Sequence, residues 1–199
     1  MENGTPAQKS KYVPKLASGE WLGAFGLTEP NAGTDASYQQ TTAQKVEGGY
    51  VLNGTKIFIT NAGYADLYVI FAMTDKSLGT KGITAFLVES TYEGFRVGKK
   101  EAKMGIRGSS TCELIFTNCF VPEENVLGKI GEGFKIAMKT LDGGRIGIAA
   151  QALGIAEGAL EESIAYTKQG GANCPTLICI MRWFKARYVF VNLQELQSA

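Results

Sequence analysis

The sequence contains no histidine and only four cysteines, Cys112, Cys119, Cys174 and Cys179. Without an imidazole, a zinc centre and a histidine general base are both disfavoured. The cysteines show no metal-ligand spacing and read as reduced, mostly buried thiols. Charge of one sign is also missing. Twenty basic and 19 acidic residues leave a net charge of +1, which provides no electrostatic footprint for nucleic acid. No apolar run approaches the length needed to span a bilayer. The first twenty residues are polar and mixed, so no secretory signal is read there. There is no internal repeat and no low-complexity segment. What is present, 45% hydrophobic and 20% charged residues in a chain of 199, fits a soluble globular protein of one large or two small domains with a real core.

Residues Gln8 to Leu16 read as a short helix interrupted by Pro14. From Trp21 to Val121 the pattern is β. Tyr50-Val51-Leu52 and Thr55 to Ile59 flank Asn53-Gly54, which predicts a two-residue hairpin turn because both turn positions need positive φ. Leu67 to Met73 and Ile83 to Val88 are continuous apolar runs, as in strands buried on both faces. Phe95 to Val97 and Cys112 to Val121 complete the set, and turn residues separate the runs at fairly regular spacing. This predicts a sandwich or barrel of about seven strands, and the lack of intervening helices disfavours a parallel Rossmann sheet.

Val121 to Gly128 reads as a linker. From Glu132 to Lys168, Phe134, Ala137, Leu141, Ile148, Ala149, Ala152, Ile155, Ala156, Leu160 and Ile164 recur at helical spacing. A continuous helix here is on the order of 50 Å long at about 1.5 Å per residue. Its glycines at 143, 144, 147, 154 and 158 each cost about 1 kcal/mol relative to alanine. They leave either a marginal, kinked helix or one that admits a close neighbour. After Gln169 the text changes, and Leu177 to Ile180 and Tyr188 to Val191 are apolar without clear helical period.

The stretch around which the chain is organised is Phe25-Gly26-Leu27-Thr28-Glu29-Pro30-Asn31-Ala32-Gly33-Thr34-Asp35. An apolar strand ends there in turn residues. Pro30 fixes its own φ, Gly33 permits close backbone approach, and Thr34 and Asp35 offer polar side chains. Taken alone, this is either an ordinary strand end or an edge that holds a flat polar ligand. The run resembles the flavin-binding signature of the acyl-CoA dehydrogenases. Lys56-Ile57-Phe58-Ile59-Thr60-Asn61-Ala62 is similar to that family's second flavin-contacting strand. Met104 to Ser109 resembles its middle-domain loop, and Leu141-Asp142-Gly143-Gly144-Arg145-Ile146 resembles the helix that meets the acyl-CoA. The match runs from about Thr5 to Gln169 and is most like the short-chain, butyryl-CoA type.

The resemblance implies an α+β chain with five parts. Residues 1–20 are a remnant of an N-terminal helical domain, and 21–122 form an all-β middle domain that binds flavin and acyl-CoA. Residues 123–131 are a linker, 132–169 start a C-terminal helical domain, and 170–199 are a divergent tail, expected as a frameshifted or alternative terminus. It implies FAD as cofactor and an acyl-CoA thioester as substrate. Electron-transfer flavoprotein is the implied partner, a homotetramer the usual assembly, and a bacterial cytoplasm or mitochondrial matrix the location. Phe25, Leu27 and Thr28 would line the isoalloxazine, and Gly33 and Thr34 would approach the pyrophosphate or substrate. Phe58, Ile59 and Thr60 would form the other wall, with phenylalanine where the family often has tryptophan. Asp142 and Arg145 would meet the CoA moiety.

The reaction the family runs is removal of an α-proton by a carboxylate while the β-hydride passes to flavin. The base lies far downstream in most members and, in some branches, one residue before the arginine, where this sequence has Gly144. The chain is therefore expected to be incomplete, to offer no catalytic residue as base, and to have negligible dehydrogenase activity alone. Two further readings are a non-catalytic fragment with residual flavin or CoA binding and an unrelated β-sandwich binding module.

Overall fold

The computed structural model describes residues 2–169, and the chain divides into two compact units, Met1–Thr140 and Leu141–Ala199, each taken by itself. The expectations for 170–199 lie outside the described residues. In the first unit, helix α1 (Pro6–Ser18) is followed by strands β1 (Gly23–Gly26), β2 (Thr42–Val46), β3 (Gly49–Thr60), β4 (Leu67–Met73), β5 (Ile83–Glu89), β6 (Phe95–Lys100), β7 (Thr111–Pro122) and β8 (Val126–Leu127). Helix α2 (Gly133–Gln169) starts in this unit and continues into the second. The eight strands form one mixed sheet in the order β6-β7-β3-β2-β4-β5-β8, with β1 parallel to β4 off that path. An all-β domain followed by a long helix is the expected architecture.

The sheet curls over its own core. Tyr50 on β3 meets Phe86 on β5 edge-on at 5.1 Å, and Tyr68 on β4 lies 4.7 Å from Phe95 at the start of β6. Leu52, Ile70, Val88, Leu114 and Val121 fill the space between, all fully buried. A second cluster joins Leu27, Phe71, Ile83 and Ala85 to Ile136 and Ala137, so the first turns of α2 belong to the β unit. Val121–Gly128 is more than a connection, because β8 pairs with β5 and the Asn125 amide donates to the Leu87 carbonyl at 2.9 Å and to the Tyr92 hydroxyl at 2.7 Å.

Two local expectations are corrected. Pro14 does not interrupt α1, which runs through it to Ser18. The helix is held from outside. Thr5 and Gln8 close a capping box, the Gln8 amide donates to the carbonyls of Glu124 and Val126, and the fully buried Tyr12 donates to Glu89 at 2.8 Å. These ties outweigh one missing backbone donor. Asn53-Gly54 is not a hairpin turn either, since β3 passes through it unbroken. β7 is long enough to pair with both halves of β3, and the register shifts between Leu52↔Cys119 and Gly54↔Phe116, a bulge whose extra residue lies on β7. Asn53 bonds Asn118 across that bulge through both its amide atoms, at 3.2 and 2.8 Å. The hairpin is made by Glu47-Gly48, between Val46↔Gly49 of β2 and β3, with Gly48 at φ 74°.

In the second unit the described residues continue α2 from Leu141 to Gln169. Ile146, Ile148, Ile155 and Tyr166 are exposed along it.

Candidate functional site

The organising motif begins on β1 and leaves the sheet at Leu27. Glu29 and Ala32 exchange both backbone hydrogen bonds at 3.1 Å, closing a tight turn over Pro30 and Asn31. Gly33 and Thr34 follow it, both exposed, and a β-carbon built on Gly33 meets nothing within 4 Å. Asp35 then accepts from the backbone and hydroxyl of Ser37, which holds its carboxyl below the usual range.

The second stretch is the end of β3. Between Lys56↔Leu114 and Ile59↔Cys112 the strand carries one extra residue, and Phe58 within this bulge takes φ 57°. A bulky residue in the left-handed region costs about 1–3 kcal/mol and persists where the surroundings over-determine it, often beside functional sites. Its ring is turned out and 60% exposed. The two stretches are joined: Ile57 N–H donates to the Thr28 carbonyl at 2.9 Å, and the Asn61 amide donates to the Gly23 carbonyl at 3.3 Å.

The structure therefore brings Thr28, half-buried, next to the bulge that carries the exposed Phe58 and Thr60. Two of the expected wall residues have buried side chains. Leu27 is 7% exposed and Ile59 2%: Leu27, just past the end of β1, joins the cluster of Phe71 and Ile83, and the extra residue of the bulge shifts the parity of β3 so that Ile59 rather than Phe58 follows Lys56 into the core. Only their backbones remain available. Phe25 faces inward as well: its ring lies 5.0 Å from Phe71, and it borders an apolar cavity of about 190 Å³ with Tyr12, Leu67, Leu87 and Ile136. Asp142 and Arg145 lie in the second unit, both exposed, with Arg145 Nε 3.9 Å from the Asp142 carboxylate one helical turn away.

The sequence reading missed the group beneath these walls. Lys56 is fully buried, and its ammonium donates to the Glu29 carboxylate at 2.7 Å, the Gln39 side-chain carbonyl at 3.1 Å and the Leu27 carbonyl at 3.3 Å. Glu29 also accepts backbone N–H bonds from Gln40 at 2.6 Å and Thr41 at 3.1 Å. Burial lowers the Lys56 ammonium to about 8, against the pull of Glu29. Burial pushes the Glu29 carboxyl up, but the charge and hydrogen bond of Lys56, with the bonds from Thr41 and Gln40, outweigh it and hold the carboxyl below its ordinary value. The signal for this cluster was strand parity. Tyr50, Leu52, Gly54 and Lys56 share one side of β3, and that side is the core. Among the described residues, no cluster of three or more histidine, cysteine, aspartate or glutamate side chains could hold a metal, and no helix is long and apolar enough to cross a membrane.

The family model for the acyl-CoA dehydrogenase middle domain matches residues 24–119, and that for the C-terminal domain matches 131–178. The short-chain specific acyl-CoA dehydrogenase of Clostridium acetobutylicum is 64% identical over 168 residues, 84% of this chain and 44% of that protein. The chain thus spans less than half the length of the curated relatives it matches. Among solved structures, butyryl-CoA dehydrogenase from Megasphaera elsdenii superposes with a TM-score of 0.87 at 57% identity, covering 92% of this chain and 50% of that one. A structure described as the electron transferring flavoprotein of Acidaminococcus fermentans superposes with a TM-score of 0.89 at 55% identity, covering 98% and 55%.

Proposed function

Because the chain belongs to the acyl-CoA dehydrogenase family, we propose that its first unit binds FAD and contributes to the α,β-dehydrogenation of a short-chain acyl-CoA thioester. The observation that carries the reading is the bulge at Phe58. It turns an aromatic ring outward at a conformational cost, beside Thr28 and within a motif run whose order matches the family. The donor set suits a flavin. Phe58 offers an apolar face for a flat ring, and the Thr28 and Thr60 hydroxyls offer hydrogen bonds to a polar edge. The open space beside Gly33 leaves room for a ligand against the backbone, with Thr34 next to it. FAD, when bound, supplies the hydride acceptor. The residues of the chain orient the ring and supply hydrogen-bonding groups at its edge.

Titrating FAD against the chain and following flavin fluorescence tests this. The wild type quenches and saturates. Phe58→Ala weakens binding about tenfold, the equivalent of about 1.4 kcal/mol of stacking, and barely moves the thermal midpoint because the ring is mostly exposed. A wild type that does not bind contradicts the reading, and an unchanged affinity removes Phe58 from the wall.

In the second unit, Arg145 is the group proposed to meet the phosphates of CoA, since a guanidinium offers a rigid fork of donors matched to phosphate oxygens. Arg145→Ala is expected to weaken acyl-CoA binding about tenfold in a calorimetric titration, the effect of losing about one charge-assisted hydrogen bond. Unchanged affinity assigns Arg145 to solvent with Asp142. Gly144 stands at one of the family's two base positions, which favours a second reading, binding of flavin and CoA without turnover by this chain. An electron-transfer flavoprotein as partner is supported by the likeness to the Acidaminococcus fermentans structure, and a homotetramer by the family resemblance alone.

A further inference from the structure

We infer that the buried cluster of Lys56, Glu29 and Gln39 is the positioning element of the flavin wall, setting the distance and angle between Thr28 and the Phe58 bulge. The inference rests on the flavin reading above for its functional consequence, and on the geometry of this cluster for its mechanism.

Lys56 and Glu29 are too deeply buried to meet a ligand at that surface, at 0% and 4% exposure. They act through what they hold. The ammonium of Lys56 collects three acceptors from three places in the chain: the Leu27 carbonyl, the Glu29 carboxylate and the Gln39 side chain. Glu29 extends the grip to the backbone of Gln40 and Thr41. Thr28 is clamped between two of these anchors, Leu27 and Glu29. Phe58 lies two residues beyond Lys56 and one before Ile59, which is paired with Cys112 on β7. The Ile57 N–H to Thr28 carbonyl bond then crosses directly from one wall to the other. Among the described residues, no other hydrogen bond ties the motif turn to β3 through a fully buried side chain.

The choice of an ion pair is informative. Apolar side chains of equal volume in such a site often give equal or greater stability, so a buried pair is poorly explained as a source of stability. What it provides is directional: an ammonium surrounded by three fixed acceptors has one preferred position. An apolar pair packs equally well when the Leu27–Glu29 segment slides along β3. The Ile57–Thr28 bond and the Ile59↔Cys112 pair flank Phe58, so its left-handed conformation depends on both sides of the bulge staying in register.

The test uses the whole chain and the double variant Glu29→Gln/Lys56→Met, which removes both charges together and leaves a glutamine able to accept from Gln40 and Thr41. Three readouts are taken: the thermal midpoint, the amide exchange of Ile57, and FAD affinity together with the resolved shoulders of the bound-flavin absorption band. The expected result is a midpoint within a few degrees of wild type, Ile57 exchange at least tenfold faster with β4–β5 amides unchanged, FAD bound at least tenfold more weakly, and blurred flavin shoulders. A merely structural cluster leaves exchange and affinity at wild-type levels in a double variant of wild-type stability, and that outcome overturns the inference. If the double variant does not fold, Gln39→Leu, which removes one acceptor, is scored by the same Ile57 exchange, and no acceleration there overturns it as well. Failure of the flavin reading is separate: wild type then binds no FAD, and the exchange measurement alone decides whether the cluster sets the geometry.

Discussion

Lys56→Met lowers the stability of the chain by about 3–5 kcal/mol, the usual cost of removing one partner from a buried ion pair. For a chain of this size that is a fall in thermal midpoint of roughly 10 °C. The magnitude follows from what remains. Methionine fits the volume of the lysine stem, so little packing is lost, but Glu29 stays 4% exposed with its neutralising cation gone. Two backbone donors, Gln40 and Thr41, still reach it. They satisfy oxygen lone pairs without cancelling the charge, so the carboxyl in the variant takes up a proton more readily than an unfolded glutamate. This has a signature in pH. In the wild type the Glu29 carboxyl is held below its ordinary value, so its contribution to stability is present above the unfolded value of about 4.3 and is lost in acid. In Lys56→Met the folded value is raised, and the sign reverses: the variant is relatively most stable below about 4.3 and loses stability as pH rises through the folded value. Chemical denaturation of both proteins at pH 5 and pH 7.5 measures it. A difference between them that is larger at pH 7.5 is expected. An equal difference at both pH values would mean that Glu29 keeps its charge without Lys56.

Gly54→Ala costs about 3 kcal/mol, nearly as much, for a steric reason. A β-carbon at this position comes within 2.5 Å of Thr41 Oγ1, 2.7 Å of Thr41 Cα and 2.8 Å of Thr41 Cβ, and the backbone sits at φ 148°, which side chains rarely adopt. Strain at such a backbone and overpacking of this kind each cost about 1–3 kcal/mol. The neighbour cannot give way freely, since Thr41 N–H is bonded to Glu29 and the Thr41 carbonyl accepts from Met73 N–H at 2.8 Å. A shift of Thr41 therefore reaches the Lys56 cluster. Urea denaturation reads the stability loss, and FAD titration of the same variant is expected to show weaker binding. A variant of wild-type stability would mean that β3 and the Thr41 segment separate at little cost.

How much of this was legible in the sequence depends on where a residue's neighbours come from. The strands Leu67–Met73 and Ile83–Glu89 were readable because burial on both faces leaves an unbroken apolar run. Helix α2 was readable from its period. β2 was not, because Thr42-Ala43-Gln44-Lys45-Val46 is mostly polar and is a strand through its pairing with β3. Asn53-Gly54 carries the local chemistry of a turn, but the long partner β7 keeps β3 extended through it, so a non-local ladder overrides a local signal. At the candidate site, the motif order picked out the two stretches that the structure joins through the Ile57–Thr28 bond. It did not separate the half-buried Thr28 and the exposed Phe58 from Leu27 and Ile59, whose side chains are buried, since the bulge that exchanges Phe58 for Ile59 on the core side leaves no mark in the sequence. Lys56 was hidden for the opposite reason: a charged residue reads as solvent-facing until its parity with Tyr50 and Leu52 is counted and Glu29, 27 residues away, is seen to meet it.

The flavin site proposed on Thr28 and the Phe58 bulge stands or falls on whether this chain holds the cofactor. Its most direct test is the absorbance spectrum of the purified chain after mixing with excess FAD and gel filtration. A flavin band that elutes with the protein peak in wild type and is diminished in Phe58→Ala is expected. A protein peak without flavin absorbance would contradict it.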